Sequence, residues 1–231
     1  MHILLDHLNA LLVAGMVILS LTTNQMRARH GGIDQVSAHS AKVKTLAFGQ
    51  WVEDDILNIG ENFGSNRYRF QAPVVNDTTG NTDQFEFYRD VENSDGSFTR
   101  HATRYQLVHV GEMERVSSGQ MLQQYRLDRL SATTPVINGI ALPIPSTGWT
   151  KNLESIGTLS FFEIEMLDRV GTVIPPDPSD PNSTAGADYL RVRFAVLPEY
   201  VLNPENFIRE LYWVSTLKVR PFWDPPRDAR T

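Results

Sequence analysis

Cysteine is absent from the 231 residues. That excludes thiol nucleophiles, zinc-thiolate sites and disulfide frameworks, but it does not identify a compartment, because exported proteins can also lack cysteine. A block of lysine or arginine is missing too. The 21 basic residues stand against 27 acids for a formal net charge of -6, so the electrostatic footprint of a nucleic-acid-binding protein is lacking and no nucleic-acid partner is expected. No GxSxG, Walker or dinucleotide glycine pattern occurs, no repeat of fixed period is visible, and the six histidines at 2, 7, 30, 39, 101 and 109 are scattered. No catalytic residue, cofactor or metal is expected from these patterns, and the chain does not read as an enzyme.

What the chain does have is unevenly spread. Its length suits one sizeable domain or two small ones, with a core that needs no staples. The opening stretch LLDHLNALLVAGMVILSLTTNQMRARHGG, residues 4 to 32, carries no formal charge from Leu8 to Met26. A membrane-spanning helix needs roughly 20 such residues, since a rise of about 1.5 Å per residue must cross about 30 Å of hydrocarbon. Asn9, Ser20, Thr22 and Thr23 soften the run, so a buried helix of a soluble domain is the alternative.

A cleavable export signal would place basic residues before the run and small residues at its exit. Here Met1, His2, Asp6 and His7 stand in front, and Arg27 and Arg29 lie behind. A positive-inside count taken alone would keep the following residues in the cytoplasm. Asp6 is the residue of interest. A carboxylate at the start of a membrane-length run costs a few kcal/mol to bury without a cation, which makes it a functional candidate. The alternative is an acid at headgroup level or beside a helix N-terminus.

Beyond the run, apolar residues recur at Ile33, Val36, Val43, Leu46, Ala47, Trp51, Val52, Ile56 and Ile59. This approximates helical spacing with one stripe facing a partner and part of the Glu53, Asp54, Asp55 cluster off it. Gly31 and Gly32 each cost roughly 1 kcal/mol relative to alanine in a helix interior, so they either break the helix or loosen it. The expectation is one long helix, or two nearly collinear ones, stopping near Gly60.

After Gly60 the pattern alternates. Residues 83 to 91 and 98 to 110 read as a hairpin around the turn NSDGSF. In 120 to 130, Tyr125 and Leu127 oppose Leu122, Gln124, Arg126 and Asp128. In 158 to 168, Phe162, Ile164 and Met166 share one side, and in 188 to 198 Leu190, Val192, Phe194 and Val196 do the same. Each fits a strand with one side on a core. The segment 173–188, VIPPDPSDPNSTAGAD, carries four prolines and reads as a long exposed loop without regular structure, joining neighbouring strands. A last strand is expected around Leu211 to Val219, with a tail that is loose or docked by Trp223. The fold class is α+β, an N-terminal helix over 1–60 followed by an antiparallel β-rich domain over 61–231.

Several weaker patterns have plainer readings. His101 and His109 share a strand face but stand too far apart to bind one metal, and they read as surface or edge residues. Asp177, Asp180, Asn182 and Asp188 offer oxygen ligands for calcium, yet their irregular spacing is that of a turn-rich loop. DVENSDG, residues 90 to 96, lacks the distal glutamate of a calcium loop and reads as a turn. NDT (76–78) and NST (182–184) match a glycosylation tripeptide too short to be specific.

An apolar N-terminal helix with one early acid, an amphipathic continuation and a following β domain resembles the type IV pilin architecture. More narrowly it is similar to the W-type minor pilins and the J-type pseudopilins of type II secretion. The residues carrying the resemblance are LNALLVAGMVILSLTTNQMRARH, FGQWVEDDILNIGENF, DQFEFYRDVENSDGSFTRHATRYQL, LQQYRLDRL and TLSFFEIEMLDRVG. They cover most of the chain, and each is a soft motif. Family precursors carry a short basic leader, cut just before a mature helix that has a glutamate near its start; Asp6 stands in roughly that place. The resemblance implies either a leader outside the sequence read here or an atypical branch.

It further implies a structural subunit held in the cytoplasmic membrane before assembly. The subunit would then pack helix to helix, with copies of itself or related pilin-like subunits, in an extracellular filament or a periplasmic pseudopilus. In that reading Asp6 meets the N-terminal amine of a neighbour, and the small residues Ala10, Ala14 and Gly15 permit close helix approach. The competing expectation is a monomeric membrane-tethered β domain that binds a ligand or partner through its loops.

Overall fold

The structure is a computed structural model that describes residues 2–62, 69–115, 120–137, 140–184, 186–198 and 210–219. One helix, α1 (His2–Leu57), is unbroken over 56 residues. No proline occurs before Pro73, so nothing removes a backbone donor along the helix, and Gly31 and Gly32 are carried through without interruption. The helix ends where its last turn tightens, with Ile59 N–H donating to Ile56 O at 3.1 Å, and Gly60 follows at φ 74. That left-handed backbone favours glycine, and Gly60 N–H then bonds Tyr88 O at 2.9 Å, which fastens the helix end to the sheet.

Ten antiparallel strands follow: β1 (Val74–Val75), β2 (Thr82–Glu92), β3 (Phe98–Arg115), β4 (Gln120–Ile137), β5 (Ile140–Ala141), β6 (Thr150–Glu154), β7 (Leu159–Leu167), β8 (Val173–Ile174), β9 (Tyr189–Val196) and β10 (Leu211–Lys218). Their order is β1-β2-β3-β4-β7-β9-β10, with β5 and β6 also on β4 and β8 on β7. The expected hairpin is β2–β3, and its turn is held by Asp95, whose Oδ1 accepts from Ser97 N at 2.9 Å and Ser97 Oγ at 2.6 Å. β4 and β7 pair only at Tyr125 and Leu159. Beyond that point two side chains of the β2 end substitute for a strand. Asn81 Oδ1 accepts from Phe162 N at 3.2 Å and Thr82 Oγ1 from Ile164 N at 2.9 Å.

The predicted inner faces are as observed. Tyr125 and Leu127, then Phe162, Ile164 and Met166, then Leu190, Val192, Phe194 and Val196 are all buried. A buried apolar side chain of this size contributes about 1.5–3 kcal/mol. The core is strongly aromatic. Phe48 of the helix contacts Phe194 edge-on at 4.6 Å, and Trp213 stacks on Phe194 at 4.9 Å. Tyr105 touches Trp51, Phe87 and Phe162.

Two expectations are corrected. The helix face on the sheet is Ala41, Thr45, Phe48, Val52, Ile56 and Ile59, all buried. Val36 (70% exposed), Val43 (53%) and Leu46 (52%) point away from it. The apolar residues of this half therefore form two stripes, not one, because positions 43 and 46 lie about half a turn from the 41, 48, 52 row at roughly 100° per residue. Asp55 also faces the sheet. The proline-rich segment is not wholly irregular, since β8 pairs Ile174 with Met166 and a short 3₁₀ turn spans Pro181–Thr184. It does connect the neighbouring strands β7 and β9. The tail with Trp223 lies outside the described residues.

Candidate functional site

The front half of α1 leaves the β-sheet entirely. From Leu8 to Met26 every side chain is exposed, and an 18-residue window reaches a mean hydropathy of 1.4 with none of it buried. By length and composition the helix can cross a membrane. The polar residues in the run are partly neutralised internally: Thr22 Oγ1 donates to Ile18 O and Thr23 Oγ1 to Leu19 O, each at 2.8 Å. Such back-bonding leaves fewer unpaired groups for an apolar surrounding to solvate.

Asp6, Ala10, Ala14 and Gly15 all lie exposed on this half. Spacing of four brings Asp6, Ala10 and Ala14 onto one side, while Gly15 sits about a quarter turn further round. Among the described residues no ion pair holds Asp6. Ala10 and Ala14 align, within roughly a quarter turn on an ideal helix, with Val36, Val43, Leu46 and Leu57. All four of these are exposed on the side of α1 opposite the sheet. Small and exposed apolar residues thus lie along the helix away from the sheet, and of those named only Val36 borders the cleft that Ala41 and Leu197 line. Sequence reading missed the rear of this row because it merged Val36, Val43 and Leu46 with the core stripe. The signal was the separate 41, 45, 48, 52, 56, 59 spacing, masked by Thr45 and Ala41 being weakly apolar.

What holds this row outward is the way the opposite face is fixed. Arg129 of β4 makes a bidentate pair with Asp55, Nε to Oδ2 at 2.7 Å and Nη2 to Oδ1 at 2.9 Å. Tyr105 OH donates to the same Oδ2 at 2.8 Å. Burial, then the Asp55 charge, push the Tyr105 hydroxyl well above its ordinary value, and the hydrogen bond to Asp55 raises Arg129. The tyrosine stays a neutral donor and the arginine stays charged. Nearly two turns back along the helix, Gly49 meets Trp213 so closely that an added Cβ would lie 2.4 Å from the indole Nε1. Only glycine fits there.

The other candidates resolve into structure. His101 lies opposite Thr133 where β3 runs between β2 and β4, whereas His109, opposite Tyr125, is exposed and past Gln106, where β3 pairs with β4 alone, so only His109 sits at an open edge as expected. Burial lowers the pKa of His101. Asp177 accepts from Ser179 N and Oγ in a turn, and Asp188 lends its backbone to Leu167 and Val219. Asn76 of the NDT tripeptide forms a turn, with its Oδ1 accepting from Thr78 and Thr79 N–H. Among the described residues no group of three His, Asp or Glu side chains could hold a metal ion. A long apolar N-terminal helix packed by its rear half on an antiparallel sheet is consistent with a pilin-like fold. No family model, no curated protein and no solved structure matches the chain.

Proposed function

We propose that this chain is a pilin-like structural subunit, in the manner of W-type minor pilins and J-type pseudopilins. It is held in the cytoplasmic membrane by α1 and then packed helix to helix in a surface filament or a secretion pseudopilus. The observation that carries the reading is the free apolar half of α1, which extends from a domain whose core is complete without it. Water does not tolerate such a surface, so it belongs in lipid or among other helices. In lipid the drive to associate comes from close packing, which Ala10 and Ala14 allow. The partners are copies of this chain or related subunits, and the protein makes and breaks no bond.

Two measurements test the reading. Mass spectrometry of the protein from its native membrane is expected to find residues 4–26 retained and a processed, methylated N-terminal amine. Electron microscopy and sedimentation are expected to show multimers of the full chain that are lost when residues 1–26 are deleted. A solitary full-length chain in the membrane would instead favour a monomeric tethered β domain acting through its loops.

A further inference from the structure

We infer that Gly31 and Gly32 form a hinge at which the membrane-length part of α1 swings relative to the β domain. Glycines in this helix are of two kinds. Gly49 is required by packing, since a Cβ would collide with Trp213, whereas a Cβ at Gly31 or Gly32 meets nothing within 4 Å. Alanine would fit both positions and favour the helix by about five-fold per site. Packing within the chain therefore gives no reason for glycine there, and conformational freedom does.

Placement supplies the second argument. Uncharged residues end at Met26, and Arg27 and Arg29 mark the edge of the apolar run. The domain first reaches the helix at Ile33 and Ser37, which with Ala41 and Leu197 line a shallow cleft. Residues 27–32 are exposed on every side and lie between two bodies fixed by different means, one by its apolar surroundings and one by the sheet. Helix stability in such a bridge rests on propensity alone. The adjacent glycines put the weakest point there, so opening a turn at this place detaches no core contact.

The chain lacks cysteine, which makes spin labelling clean. Labels at Asn24→Cys and Ala38→Cys stand about 21 Å apart on a straight helix at about 1.5 Å per residue. In detergent micelles the distance distribution is expected to be broad and to include values well below that separation. In the G31A/G32A variant it is expected to narrow onto it. Hydrogen exchange of the same samples is expected to slow about 25-fold at amides 29–35 in the variant, from two five-fold effects, with amides 45–52 unchanged. A distribution in the parent chain as narrow as the variant's, or protection at 29–35 equal to that at 45–52, would overturn the inference. With labelled chain diluted into an excess of unlabelled chain, distances between chains drop out of the distribution, so failure here leaves the filament reading intact, and the reverse also holds.

Discussion

Asp55 is the residue on which the orientation of the helix turns. It is largely buried, accepts from Arg129 and Tyr105, and has no apolar role. Removing one member of a buried pair leaves the other uncompensated, typically at about 3–5 kcal/mol. Asp55→Ala is therefore expected to lower the unfolding free energy read from denaturant titration by that amount, and Asp55→Ala with Arg129→Met to recover part of it. Equal losses in the single and double variants would contradict the pairing. Asp128 gives a pH signature. Burial raises its pKa, but hydrogen bonds from Arg126 and Lys151 outweigh burial and hold it below the usual carboxylate range. A carboxylate with a depressed folded-state pKa adds stability above its unfolded value and loses it as pH falls through the folded one. Urea titrations are expected to show an acid-side loss below about pH 4 that is smaller in Asp128→Asn.

At the scale of elements, α1 is two surfaces on one rod, and substitutions should separate them. Val52→Asp places an unpaired acid in the core and is expected to unfold the domain, whereas Val43→Asp, on the exposed side, is expected to change stability by no more than about 0.5 kcal/mol while weakening assembly. Thermal melts and sedimentation read the two effects independently. Gly49→Ala is a third case. It forces Trp213 off Phe194 and should cost about 1–3 kcal/mol, as overpacking does.

Much of this was legible in the sequence. Alternation set the inward faces of β4, β7 and β9 because strand period is strict, and the unbroken apolar run without proline foretold the long helix. The helix face was misassigned because an apolar residue at helical spacing does not say which of two partners it serves. The Asp55–Arg129–Tyr105 cluster was invisible for a related reason: its members are 50 and 74 residues apart and meet only through tertiary packing. Gly49 against Trp213 is the same kind of long-range fact. For the assembly surface, composition marked Asp6, Ala10 and Ala14, but only the docked sheet showed which side of the rod stays free.

For the whole molecule, the geometry separates a self-sufficient domain from a surface that the domain does not cover. The β-sheet and the rear of α1 bury an aromatic core, and the Asp55 and Gly49 contacts fix the rotation of the helix on that core. That rotation leaves Ala10, Ala14, Val36, Val43, Leu46 and Leu57 on the far side. The absence of native cysteine allows a direct test by oxidative cross-linking in membranes of single variants at Ala14, Val43 and, as a control on the distal β2–β3 turn, Ser97. Disulfide-linked dimers are expected from Ala14→Cys and Val43→Cys and not from Ser97→Cys. Monomer at both helix positions, with the full-length chain resident in the membrane, would contradict helix-to-helix association along this face.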